Sequence, residues 1–247
     1  MLTRNFRYRR GFTLIEIIVV IAILAILAGV SYPLLTSRIN AANVTGCQNN
    51  VKQILQLGMK YSDDMMHRNL LPTSGMDDDE DTREFNEKAA WWYSIAPQMD
   101  QVIYPKNRKE VMQISTIFHC PGDNRAQVDG DLMPGDAKHV SYVSWTDGSE
   151  DADNPNSCIS MNKQRLDELP WISDGIPELG KSVKNIRDFK KMVLPALERH
   201  DSTIVVGYAS GLIKAHELDS ESTDVVKAYK QVAPWLYEQQ KKGGKRK

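Results

Sequence analysis

Gly11-Phe12-Thr13-Leu14-Ile15-Glu16 opens the run Ile17-Ile18-Val19-Val20-Ile21-Ala22-Ile23-Leu24-Ala25-Ile26-Leu27-Ala28-Gly29-Val30, and this stretch decides how the chain is built. A short leader carrying Arg4, Arg7, Arg9 and Arg10 precedes it, and from Phe12 to Val30 the one strongly polar side chain is Glu16. As a helix rising 1.5 Å per residue the run spans roughly 28 Å, about the hydrocarbon thickness of a bilayer. Arginines on the N-terminal side hold that end in the cytoplasm, so the remainder of the chain is directed to the far side of the membrane. An ordinary signal peptide would have a shorter apolar region and a small-residue cleavage site, which Ala25, Ala28 and Gly29 could imitate. A carboxylate near the start of the run fits that reading badly. An acid at mid-membrane costs about 2.5–3.5 kcal/mol on insertion scales, so it calls for a partner and a purpose. A plain single-span anchor leaves Glu16 unexplained too.

On these residues the chain resembles the type IV pilin and type II secretion pseudopilin superfamily, whose signature reads Gly-Phe-Thr-Leu-Ile-Glu. All six positions match, between a basic leader and an apolar helix. The resemblance implies cleavage by a prepilin peptidase between Gly11 and Phe12, N-methylation of Phe12, and an assembly role for Glu16. It implies a pilin-like α+β fold, in which a long N-terminal helix with a transmembrane first half packs its second half on an antiparallel sheet of a C-terminal globular domain. The expected partners are the prepilin peptidase, the inner membrane and other pilin or pseudopilin subunits.

Charge is consistent with that class. The chain is formally −1; without the leader's four arginines it is −5, and residues 12–240, which also omit five basic residues at 241–247, carry −10. Such a balance argues against nucleic acid as the main partner, and Lys241-Lys242-Gly243-Gly244-Lys245-Arg246-Lys247 reads as a solvated, frayed end. Roughly 180 residues lie beyond the N-terminal helix, enough for one core.

Beyond Pro33, where a kink is expected, Val44, Cys47, Val51, Ile54, Gly58, Tyr61 and Met65 recur at three- and four-residue steps. That stripe predicts one helix from Phe12 to about Met66 lying on a sheet; fewer than four clean heptads disfavour a free coiled coil. The divisions are thus a leader at 1–11, a transmembrane half at 12–33, an amphipathic half at 34–66, a globular domain at 67–240 and a basic tail at 241–247. Leu71-Pro72-Thr73-Ser74-Gly75 breaks the helix, and Asp77-Asp78-Asp79-Glu80-Asp81 precedes a short helix expected over 82–97 with Trp91-Trp92-Tyr93 packed inward. Residues 114–120, 140–145 and 170–175 read as strands, with Cys120-Pro121-Gly122-Asp123 a turn after the first. A helix is expected over 183–198, interrupted or ended near Pro195, then a hairpin of 203–208 and 212–216 around Ala209-Ser210-Gly211.

No catalytic constellation emerges. His67, His119, His139, His200 and His216 are scattered, and neither a Gly-x-Ser-x-Gly nor a phosphate-cradling glycine loop is present. The acidic runs 77–81 and 147–156 are candidate calcium loops, although neither has EF-hand spacing. Cys47, Cys120 and Cys158 lack the Cys-x-x-Cys spacing of zinc sites. In an oxidising compartment they suggest one disulfide, Cys120 with Cys158, and a spare thiol at Cys47 on the helix stripe. The Cys-Pro turn, the Ser-Tyr strand and the late hairpin after His200 loosely resemble large pilin-like proteins of some bacteria. Those often have Asp-Gly in the hairpin turn where this chain has Ser210-Gly211, so no metal role is carried over to His200.

The expectation is therefore a structural subunit and not an enzyme, without a resident cofactor or metal. It would be a pseudopilin of a type II secretion system, single-pass in the inner membrane with its globular domain periplasmic or in a filament. The alternatives are a type IV pilin or minor pilin serving adhesion, motility or DNA uptake, and a membrane-anchored binding module.

Overall fold

The computed structural model describes residues 12–63, 70–74, 91–95, 116–123, 140–147, 158–161, 165–177, 181–218 and 224–243. The leader, the acidic run 77–81, most of the helix expected at 82–97 and most of the polar loop 147–156 lie outside these residues. The chain divides into two compact units, Met1–Ile39 and Asn40–Lys247.

In the first unit, helix α1 (Leu14–Asp63) begins, and its backbone stays helical through position 33. Thr13 is its N-cap. The Thr13 N–H and hydroxyl both donate to Glu16 Oε2 at 2.8 Å, while the Glu16 N–H donates back to Thr13 Oγ1 at 3.3 Å. This is a reciprocal capping box, in which Thr and Glu three residues apart satisfy backbone donors that the first helical turn leaves open. Beyond it Ile17, Ile18, Ile21, Leu24 and Leu27 are all about half exposed, apolar on every face of the helix. A helix apolar all round belongs in a low-dielectric medium. Among the described residues α1 is the one helix long and apolar enough to cross a membrane.

In the second unit α1 changes character. Cys47, Val51, Ile54 and Leu55 are buried, Val44, Leu57 and Tyr61 partly so, while Lys52 and Lys60 are exposed. The stripe lies on a four-stranded antiparallel sheet in the order β2 (Tyr142–Ser144), β4 (Pro170–Asp174), β5 (Thr203–Tyr208), β6 (Ile213–Glu217). Two glycines permit the approach. A Cβ on Gly58 would overlap the Trp171 ring of β4, and one on Gly207 of β5 would come within 2.7 Å of Val51. A separate two-stranded pair joins β1 (Leu70–Pro72) to β3 (Cys158–Ser160). The Trp171 indole ties the two together by donating to the Pro72 carbonyl at 2.7 Å. Short helix α2 (Trp91–Ile95) places Trp91 edge-on to Trp171, 6.4 Å between ring centres, and to Phe118 at 5.7 Å. The inward packing expected of Trp91 and Trp92 is thus observed.

Three expectations are corrected. Residues 116–118 form a single 3-10 turn and not the middle of a strand. The Pro121-Gly122 turn comes too soon after them for a ladder, and Phe118 offers its carbonyl to the Ser141 N–H at 2.9 Å. The helix expected over 183–198 is a composite, with an α turn α3 (Ile186–Asp188), a π segment (Phe189–Val193) and a 3-10 segment reaching His200. Pro195 has no N–H to give an α ladder, and just before it Leu194 donates to Phe189, five residues back. Residues 241–243, expected to begin a frayed tail, instead finish a helix.

The described residues end in two helices that periodicity did not single out, α4 (Val225–Val232) and α5 (Pro234–Gly243). Tyr229 of α4 stacks on Trp145 at 6.1 Å and meets Phe189 edge-on at 5.5 Å. The Tyr208 hydroxyl donates to the Val232 carbonyl at 2.9 Å and lies 2.7 Å from His216 Nε2. Asp224 caps α4 by accepting the Lys227 N–H at 3.1 Å. Asp224→Ala should lower stability by about 1 kcal/mol, the usual worth of an N-cap. Urea unfolding of the full chain would measure it, and an unchanged midpoint would show that packing alone holds α4.

Candidate functional site

Two places carry chemistry. The first is the start of α1. Gly11 lies outside the described residues, Phe12 is 81% exposed, and Glu16 is engaged with Thr13 in the capping box. The box arises from Thr-x-x-Glu spacing at a helix start, so two of the six signature residues also have a local folding role.

The second is inside the globular unit, where four elements each deliver one polar side chain to the same point. Cys47 comes from the buried stripe of α1, and Cys120 from the turn after the 3-10 segment. Asp174 is the last residue of β4, and His200 ends the helical segment before β5. All four are buried, with Cys47, Cys120 and Asp174 fully so and His200 1% exposed. Their ligand-type atoms lie within 4.8 Å of one another. The Cys47 thiol donates to the Asp174 carboxylate at 3.1 and 3.2 Å, Cys120 Sγ is 2.9 Å from His200 Nε2, and that nitrogen is 3.6 Å from Asp174 Oδ2. Asp174 also accepts the Val205 N–H at 3.1 Å.

Burial and mutual proximity shift every member. Burial, with Cys120 and Asp174 beside it, pushes the Cys47 thiol up. The nearness of Cys47 and His200 outweighs burial at Cys120 and holds it below the ordinary thiol range. Burial and the neighbouring Cys120 push Asp174 up to about 7. Burial disfavours the charged imidazole of His200, but Cys120 and Asp174 outweigh it and raise its pKa. The Tyr142 phenol faces the same charges and is pushed well up, first by burial and then by Cys47 and Asp174.

A polar frame fixes the segments that carry Cys120 and His200. Asp123 and Arg199 form a buried ion pair at 2.9 Å, Ser141 Oγ donates to Asp123 at 2.7 Å, and Arg199 donates to the Ser141 carbonyl at 3.0 Å. From α1, Asn50 donates to the His119 carbonyl at 2.8 Å. Gly122 lets the turn lie against the imidazole, since a Cβ there would stand 3.1 Å from His200 Cε1 and 2.8 Å from the Arg199 carbonyl.

Cys120 is a free thiol in this arrangement, beside His200 and near Cys47, and not in the disulfide with Cys158 that the sequence suggests. The Cys158 side chain is outside the described residues. Of the calcium candidates, 77–81 lies outside the described residues and only Asp147 of the second loop is within them. Sequence reasoning missed Asp174 and set aside His200. The four positions lie on four separated elements, so no spacing motif announces them. The available signals were local: a cysteine before Pro-Gly, an aspartate before glycine at a strand end, and a histidine before a hairpin.

The prokaryotic N-terminal methylation motif matches residues 6–32. No curated protein and no solved structure matches the chain. The match covers the six-residue signature and the first part of α1, the segment long and apolar enough to cross a membrane. Residues 6–32 therefore carry a prokaryotic methylation motif of the prepilin type, as type IV pilins and pseudopilins do, on the one helix among the described residues that is long and apolar enough to cross a membrane.

Proposed function

We propose that the protein is a pilin-like structural subunit and not an enzyme, serving as a type II secretion pseudopilin that assembles through α1 into a short pilus. The observation that carries the reading is Gly11-Phe12-Thr13-Leu14-Ile15-Glu16 set between a basic leader and an apolar helix. On this reading a prepilin peptidase cuts between Gly11 and Phe12 at the cytoplasmic face and Phe12 is N-methylated. The globular unit then stands in the periplasm, among other pilin or pseudopilin subunits. A small residue at 11 allows close approach of the scissile bond to the peptidase.

Intact-mass and N-terminal peptide analysis of the membrane-extracted chain should find Phe12 as a methylated first residue. A mature end near Val30 would mean an ordinary signal peptide and would end this reading. The signature is common to secretion pseudopilins and to pilins of surface fibres, and deletion separates them. Loss of an exported enzyme from the medium supports the secretion role. Loss of sheared filament material with export intact would assign the chain to a pilus instead.

A further inference from the structure

We infer that Cys47, Cys120, Asp174 and His200 form a four-coordinate site for a zinc ion that ties α1 to the sheet. The site is independent of the N-terminal signal and stands or falls separately from it.

Without a cation the cluster is costly. A fully buried carboxylate needs strong donors or a cation. Asp174 has one backbone N–H, a thiol and an imidazole nitrogen around it. Thiols are weak donors, so hydrogen bonding alone leaves this carboxylate poorly satisfied. A Cys47–Cys120 disulfide would account for two of the four residues, but it would consume the thiol hydrogen that Asp174 now accepts. A divalent cation accounts for all four. Two thiolates, a carboxylate and a neutral imidazole sum to −3, which zinc reduces to −1.

Geometry agrees. In a tetrahedral site with Zn–S near 2.3 Å and Zn–N or Zn–O near 2.0–2.1 Å, ligand atoms stand roughly 3.3–3.8 Å apart. The separations of 2.9, 3.1 and 3.6 Å here, all inside a 4.8 Å limit, need only small side-chain movements to reach that figure. Sulfur, nitrogen and oxygen donors in a closed, buried shell suit structural zinc, whereas calcium would want six or more oxygens. Hydrogen bonds and an ion pair fix the segments that carry the four residues. The turn after Cys120 is closed by the Asp123 N–H donating to the Cys120 carbonyl at 2.9 Å, and the Val205 N–H fixes Asp174. The Asp123–Arg199 pair holds the two segments that bring Cys120 and His200. Among the described residues His200 Nδ1 is buried without a hydrogen-bond partner, and the ring packs against Gly122 with Nε2 turned into the cluster.

The test is metal analysis of the full-length chain, extracted in detergent and purified without chelators under thiol-protecting conditions. About one zinc per chain is expected. Replacement by cobalt should give the visible spectrum of tetrahedral cobalt with thiolate charge transfer. Asp174→Asn and His200→Gln, which keep both cysteines and nearly the same shape, should lower zinc affinity at least about tenfold. Cys158→Ser should leave the zinc content unchanged. Wild-type content and the cobalt spectrum need no variant, so they decide the matter even if a ligand substitution unfolds the chain. Folded wild-type protein with less than about a tenth of a zinc per chain overturns the inference, as does peptide mapping that finds Cys47 joined to Cys120. Copper or iron in stoichiometric amount with zinc absent overturns the choice of ion. Undiminished affinity in Asp174→Asn removes the carboxylate from the shell.

Discussion

A chain carrying Gly58→Val is expected to unfold in its globular unit at a midpoint lower by roughly 6–12 °C. On the isolated-helix scale the opposite would hold for alanine, since replacing a mid-helix glycine gains about 1 kcal/mol. Here the side-chain space is already taken. The Trp171 ring occupies the place a Cβ would fill, and it cannot step aside. Its indole N–H is fixed to the Pro72 carbonyl and its face meets Trp91, itself fully buried. Overpacking of that kind costs about 1–3 kcal/mol, with valine at the upper end and alanine at the lower. Gly29 supplies the contrast. Nothing lies within 4 Å of its missing Cβ, so Gly29→Ala should not lower the midpoint. Thermal unfolding monitored by tryptophan fluorescence would read both, and a Gly58→Val chain as stable as the parent would show that α1 can lift off the sheet at no cost.

The second large effect concerns Glu16. Cleavage after Gly11 would leave a methylated, positively charged amine on Phe12 at the start of a helix buried in lipid or in a filament. That amine needs a counter-charge, and Glu16 is one helical turn away. Removing one partner of a buried pair costs about 3–5 kcal/mol. Glu16→Leu is therefore expected to insert and be cleaved normally, yet to be excluded from filaments. Glu16→Gln should be intermediate at best, since it keeps an acceptor but no charge. The capping box adds a control. Glu16 Oε2 also serves Thr13, and losing a cap costs only about 1 kcal/mol. Thr13→Ala, which breaks the cap and keeps the carboxylate, should then assemble far better than Glu16→Leu. Cross-linking in membranes beside a cleavage assay separates the steps. Equal assembly of Glu16→Leu and the parent would confine this residue to the helix cap and to peptidase recognition.

The elements that were legible in the sequence are those whose signal is periodic. The stripe through Cys47, Val51 and Ile54 announced a helix lying on a sheet, and α1 does so. Ala209-Ser210-Gly211 marked the hairpin, in which Gly211 takes φ +86° and closes the turn with a bond to the Tyr208 carbonyl at 2.9 Å. Residues 116–118 misled because a β-branched run carries propensity but not a partner strand. The composite helix ending at His200 shows the same limit. Its sequence signals a helix, while Pro195 and the packing of Phe189, Met192 and Val193 choose which kind. The buried cluster was hidden for a different reason. Cys47 and Asp174 are separated by 127 residues and Cys120 and His200 by 80, so only the folded topology makes them neighbours.

Tyr229 also bears on when the fold can form. It completes the aromatic group of Trp145 and Phe189, and Val232 supplies the acceptor for Tyr208. A nascent chain emerges from its N-terminus at roughly 5–20 residues per second. The apolar start of α1 is therefore available to lipid many seconds before α4 exists. Throughout that interval the stripe around Cys47 and Val51 has no complete sheet to cover it. The globular unit is thus a product of late closure, and the apolar segment is exposed to its surroundings while the rest is still an open chain. Slowing synthesis between Pro170 and Asp224 would lengthen that exposed interval, and a chain stalled there would present its half-built core to proteases.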